Sequence, residues 1–154
     1  MHSILGLGTN HVLFTALISW FVAQALKIPI YHHVEHVWDF SRFHGSGGMP
    51  SSHSATVCAM VVATGRYCGV SSPTFAIAAV LSIIVMYDAM GVRYETGEQA
   101  KVLNRLFTEW MDQGIEQFQF PHGKKLKEMV GHTPIEVLTG AALGIVLGFV
   151  MPMV

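Results

Sequence analysis

Hydrophobic and polar positions segregate along this chain into long blocks, not into the short alternation of strands. The first block, Val12 to Ile30, is nearly uncharged and holds Leu13, Phe14, Leu17, Ile18, Trp20, Phe21 and Leu26. Its nineteen residues approach the ~20 that a helix needs to cross a bilayer core. Lys27 is placed one turn from its end, where a lysine reaches back to the interface. A polar connector rich in histidine and aromatics, Tyr31 to Gly48, follows. The second block, His53 to Val70, carries Ala55, Ala59, Ala63 and Gly65, small residues suited to close helix packing. Ser71, Ser72 and Pro73 make a turn and cap the third block, Thr74 to Gly91. Ile77, Val80, Leu81, Ile83, Ile84, Val85 and Met86 make that block apolar on every side, as in a helix with no solvated face.

Arg93 to Gly131 is the longest polar region. Within it Val102, Leu103, Leu106, Phe107, Trp110, Met111 and Ile115 recur at helical spacing, with Lys101, Arg105, Glu109 and Asp112 between them. That pattern predicts an amphipathic helix at the membrane interface. The last block, Pro134 to Val154, sets Gly140, Gly144 and Gly148 four residues apart, a face for helix contact. The expectation is a single domain over 1–154: an all-α integral membrane protein with four transmembrane helices plus the amphipathic one.

Composition agrees. The chain has 154 residues, 51% hydrophobic and 12% charged, where a soluble domain carries about 25% charged. Mean hydropathy is +0.45. A net charge of -1 leaves no basic footprint for a nucleic-acid partner. Cys58 and Cys68, on one helix, are about 15 Å apart and cannot bridge. Met1 to Asn10 lacks the basic run that opens a cleaved signal peptide.

Charge then sets orientation. With four crossings, Lys27, Arg42, Arg93, Lys101, Arg105, Lys124, Lys125 and Lys127 share one side, and Arg66 alone takes the other. The positive-inside rule puts that richer side in the cytoplasm or its equivalent, such as a stroma. His53 and His132 open helices on the same side. Asp88 lies in the last turn of the third block, where an acid is costly and implies a functional role or an ion pair with Arg93, Lys27 or Lys101.

One octet opens directly onto an apolar helix: Gly47-Gly48-Met49-Pro50-Ser51-Ser52-His53-Ser54. Glycines and proline make a tight turn, the serines cap, and a helix N-terminus with hydroxyls beside it suits an anion. With the stretches Val85 to Arg93, Gly97 to Asn104 and Gly131-His132-Thr133-Pro134-Ile135-Glu136-Val137, it resembles the divergent PAP2 family. These YuiD-like proteins are a branch of the type 2 phosphatidic acid phosphatase superfamily, which is related to vanadium haloperoxidases. The likeness runs over nearly the whole chain.

That resemblance implies a reduced PAP2-like helical bundle and a metal-independent, cofactor-free phosphatase acting on a lipid phosphate. Pro50-Ser51-Ser52-His53 stands where the superfamily has P-S-G-H. It implies phosphate-binding Ser51 and Ser52, His53 as general acid, His132 as the nucleophile that becomes phosphohistidine, and Glu136 as its orienting acid. Two cationic elements of the superfamily have no counterpart: a lysine followed seven residues on by Arg-Pro, and a Ser-Arg pair six residues before the nucleophile, where Leu126 stands. Arg93, Lys101, Lys125 and Lys127 are the candidate replacements, because phosphoryl transfer needs cations around the equatorial oxygens. In-line transfer between the histidines requires rings roughly 5–7 Å apart.

Other readings stand beside these. Thr133-Pro134-Ile135-Glu136 is a capping box, which by itself explains Glu136. Glu98 and Lys101 fit a solvated helix face. His32, His33 and His36, near Glu35 and Asp39, have metal-ligand spacing if helical, which makes a metal-handling membrane protein one rival. A non-catalytic relative that binds a phosphorylated lipid is the other.

Overall fold

The computed structural model describes residues 10–43, 47–114, 120, 123–128 and 130–152, without the side chain of Arg42. The first nine residues and Ile115 of the expected amphipathic helix lie outside these. The described residues are all-helical, with α1 His11–Glu35, a 3-10 turn Phe40–Phe43, α2 Ser52–Cys68, α3 Pro73–Met90, α4 Val92–Asp112 and α5 Pro134–Val150.

Three of the helices begin on a side chain that accepts from one of their unpaired N–H groups. Asn10 caps α1 through Leu13 N–H, Ser51 caps α2 through Ser54 N–H, and Ser72 caps α3 through Phe75 N–H with Pro73 at the first position. Gly91 separates α3 from α4 at φ −99 and ψ −95, off the helical values. One boundary departs from expectation. Helix α1 does not stop at Ile30 but passes through Pro29 and ends at His36, which adopts the left-handed conformation. Pro29 deprives the Ala25 carbonyl of its partner, yet the helix continues through residues 31–35.

Helices α2 and α5 run parallel and nearly touch. A Cβ on Gly140 would strike the Ser51 carbonyl, one on Gly144 the Ala55 carbonyl, and one on Gly148 the Val62 side chain at 2.7 Å. Three helix turns of α5 thus lie backbone-to-backbone on Ser51, Ala55 and Ala59 of α2. At the far end Arg66 of α2 donates to the carbonyls of Gly148, Phe149 and Met151 at 2.7–2.9 Å, closing the C-terminus of α5. Helices α1 and α3 flank α2 antiparallel. Ser19 donates to the Ala55 carbonyl at 3.0 Å, and Cys58 meets Ser82 and Met86 at 3.8 Å.

The interior is small and polar, and the outside is large and apolar. Ala23, Ala55, Ala59, Ala63, Ser19 and Thr15 are buried, while Phe21, Ile77, Ile83, Leu138 and Phe149 are 56–69% exposed. In water that arrangement has no hydrophobic driving force; in hydrocarbon it is the expected one. Two stretches are long and apolar enough to cross a bilayer: α1, and the run Pro73–Asp112, whose apolar part is α3. Two of the four expected crossings therefore meet the length criterion. Helices α2 and α5 have 17 residues each, at the lower limit for a span.

Replacing Gly144 by leucine forces α5 off α2. It should lower stability by about 1–3 kcal/mol or more, whereas Ile145→Leu on the exposed face should leave it within about 0.5 kcal/mol. Thermal unfolding in detergent measures both.

Candidate active site

Four chain segments meet where α1 and α3 end and α2 and α5 begin. Gly47 and Gly48 take positive φ of 87° and 81°, and the Met49–Pro50 bond is cis. The Ser51 N–H then donates to the Glu136 carbonyl at 2.9 Å, locking the mouth of α2 onto the first turn of α5. Ser51 is fully buried, and its Oγ accepts from the Ser54 N–H and, at 3.1 Å, from the Ser54 hydroxyl. Ser52 is buried as well.

The segment before α5 is fastened to α4. Asn104 holds both backbone groups of Leu126, at 2.8 and 2.9 Å, and the Glu128 carboxylate at 2.8 Å. A Cβ on Gly97 would hit the Glu128 carbonyl, and one on Gly131 would hit the backbone of Arg93 and Tyr94. The two glycines let the segment lie directly on α4. The His132 N–H donates to the Ala89 carbonyl of α3 at 3.0 Å. His132 is thereby held from α3, α4 and α5, and its side chain is 3% exposed.

The extended connector presents alternate residues to two small cavities. Val130 and His132 line one of about 120 Å3 with His53, Val85, Asp88, Ala89 and Arg93. Gly131 and Thr133 line the other, about 130 Å3, with Glu98, Lys101, Glu128 and Glu136. Across the first, the rings of His53 and His132 have centroids 6.1 Å apart at 65°.

Glu136 serves two neighbours with one oxygen. Its Oε2 accepts from the Thr133 N–H at 3.1 Å, as a capping box requires, and faces His132 Nδ1 at 3.0 Å. An ionised carboxylate only accepts, so His132 carries a proton on Nδ1, and in the neutral ring this leaves Nε2 bare. Burial opposes ionisation of Glu136. The hydrogen bonds from His132 and Thr133, with the charges of His132 and Lys27, outweigh it and hold the carboxyl below its usual value. His53 is pushed the other way from a charged imidazole: burial lowers its pKa first, then the positive charges of His132, Arg93 and Lys27, against Asp88, which raises it.

The cations divide. Arg93 lines the histidine cavity and pairs through Nε with Asp88 Oδ2 at 2.5 Å. Lys101 lines the second cavity and pairs with Glu98 at 2.6 Å. Lys125 lies in an outer groove against α4, and Lys127 is exposed and lines none of these cavities. Lys27 corrects the expectation. It is 4% exposed, well inside α1, and its charge acts on both His53 and Glu136. The interface reading failed because α1 continues past Ile30. A lysine two turns inside an apolar helix is the signal that would have found it.

His32, His33 and His36 are not gathered into a ligand set. His32 stacks on Trp38 with centroids 4.0 Å apart, and His36 ends the helix. Among the described residues no group of three or more His, Cys, Asp or Glu could hold a metal.

The sequence profile of the Divergent PAP2 family matches residues 8–147. The chain belongs to that family. It is also 41% identical over 149 residues to a protein described as "Uncharacterized membrane protein YuiD" from Bacillus subtilis (strain 168), covering 93% of this chain and 94% of the relative. No solved structure matches it.

Because Glu136 is held below its usual value, its ionised form adds stability that is complete above the ordinary carboxylate range. That stability is lost as pH falls through the lowered folded value. Glu136→Gln should therefore be less stable than wild type at pH 7, and the difference should shrink on acidification. Unfolding midpoints across pH 3–7 test this.

Proposed function

We propose that the chain is a membrane phosphatase that removes phosphate from a lipid phosphate, or a related phosphomonoester or pyrophosphate, through a phosphohistidine on His132. The observation that carries this is the pair of histidine rings 6.1 Å apart across a small cavity, with His132 buried and His53 open to the exterior. One of them is oriented by a carboxylate at 3.0 Å. A phosphoryl group spans that gap.

The chemistry follows from the two environments. His132 Nε2 attacks phosphorus while Glu136 stabilises the imidazolium that forms, and the P–O bond to the leaving group breaks. Protonated His53 gives its proton to the departing oxygen. Neutral His53 then takes a proton from water, whose oxygen attacks the phosphohistidine, releasing inorganic phosphate and restoring His132. Arg93, on the cavity wall, supplies positive charge beside the equatorial oxygens, and the charge of buried Lys27 adds to the field from behind the wall. An empty site disfavours charged His53, but a phosphate dianion reverses that balance, so substrate itself brings the acid into its working form.

A lipid fits because Val85 and Ala89 of the cavity wall belong to α3. The outward side of that helix, Ile83, Ile84 and Tyr87, is apolar and 59–72% exposed. In this reading α2 and α5 sit within the membrane between α1 and α3, and their polar first turns meet the headgroups on the cytoplasmic side. A second reading, a relative that binds phosphorylated lipid without turnover, draws on Ser51 and Ser52. Both are buried and line neither cavity, which leaves fewer groups around a transition state.

Phosphate release from a panel of lipid phosphates in EDTA separates the two. His132→Ala should reduce release to background, and His53→Ala should reduce it about 10²–10⁴-fold. Vanadate binding without release would leave the second reading, and variants matching wild type would sink the phosphohistidine. Orientation has its own probe in Cys68, an exposed thiol at the opposite end of α2 from the site. A membrane-impermeant maleimide should label Cys68 from outside intact cells; labelling only after lysis would reverse the orientation.

A further inference from the structure

The Asp88–Arg93 pair has a position that an ordinary surface ion pair lacks. Asp88 closes the last turn of α3 and Arg93 opens α4, one on each side of the Gly91 break, and both line the cavity that His53 and His132 share. Arg93 binds Asp88 through Nε, and its two terminal nitrogens make no hydrogen bond among the described residues. A planar fork whose terminal nitrogens meet no described acceptor, on the wall of an anion-sized cavity, is what bidentate capture of a phosphate requires.

The charges around His53 give the pair a consequence. Lys27 from α1, Arg93 from α4 and His132 from the α4–α5 connector oppose a proton on His53, and Glu136 of α5 is engaged by His132. Asp88 from α3 is the one group among those acting on His53 that favours the proton, and in the empty site it is neutralised by Arg93.

Building on the phosphatase reading, we propose that Asp88 is the positioning residue for the general acid and that Arg93 is its latch. When phosphate enters, Arg93 turns its guanidinium to the phosphate oxygens and releases Asp88, whose freed carboxylate then supports protonated His53. The acid is armed by occupancy of the site, and an empty site stays neutral at the histidine that would otherwise waste its proton on solvent. No bond is made or broken in this step; the ion pair Asp88–Arg93 is exchanged for Arg93–phosphate, and one proton is taken up from solvent by His53.

The test reads protonation and binding, so it does not depend on turnover. Imidazole resonances of His53 in the isotopically labelled full chain in nanodiscs are titrated with pH, with and without inorganic phosphate. In wild type, phosphate should raise the His53 midpoint. In Asp88→Asn the empty-site midpoint should fall, because His132, Arg93 and Lys27 then act on His53 unopposed, and the rise with phosphate should shrink. Asp88→Glu should restore the rise. Arg93→Gln should raise the empty-site midpoint and weaken phosphate binding about tenfold or more. Restoration by Asp88→Glu also shows that the fold tolerates change there. Two results overturn the latch: an undiminished rise in Asp88→Asn, or an unchanged empty-site midpoint in Arg93→Gln. Phosphate that perturbs neither His53 nor His132 in wild type instead removes the phosphate-site reading itself, and the latch with it. Perturbation without turnover leaves the latch standing on a binding protein.

Discussion

The contact between the backbones of α2 and α5 is the constraint on which the rest depends. Glycine at 140, 144 and 148 removes the side chains that would separate the helices, and Ser51, Ala55 and Ala59 offer nothing larger in return. In hydrocarbon, where apolar side chains gain little by leaving lipid, close packing is what remains to hold helices together. Because the two helices run parallel in register, their N-terminal turns emerge side by side, and His53 and His132 emerge with them.

Around that seam the polar groups are held by backbone more than by side chains. Ser51 donates to the Glu136 carbonyl, His132 donates to the Ala89 carbonyl, and Gly97 and Gly131 let the last connector lie flat on α4. A histidine fixed from three helices pays its ordering cost on folding rather than on binding, which is the condition for positioning a reactive nitrogen. One oxygen of Glu136 both caps α5 at the Thr133 N–H and faces Nδ1 of His132. The choice between capping and orienting posed by its sequence context dissolves in the geometry.

The buried charge shows where reading by pattern reaches its limit. Lys27 looked like an interfacial anchor because its block ended on paper at Ile30. The helix goes on to Glu35, which leaves the lysine inside the bundle, acting on His53 and Glu136. Ser51 and Ser52 are buried as well, and close packing against Gly140 encloses Ser51, whose Oγ caps α2 as the octet led one to expect.

What the sequence by itself determined is local and periodic. It marked the five helices, with α2, α3 and the start of α5 placed within a few residues through capping serines, the proline starts and the four-residue glycine spacing. Helix α1 ran on past Ile30, and α4 began ahead of its amphipathic stretch. The sequence also marked the family, through motifs that span the chain. Tertiary structure chose among the charge partners that spacing left open. Lys27, Asp88, Arg93 and His132 come from four separate segments, and electrostatic influence depends on separation in space, which no spacing along the chain encodes. The helix periods say which face each residue occupies. Only the packing of α2 on α5, with α1, α3 and α4 around it, says what that face looks at.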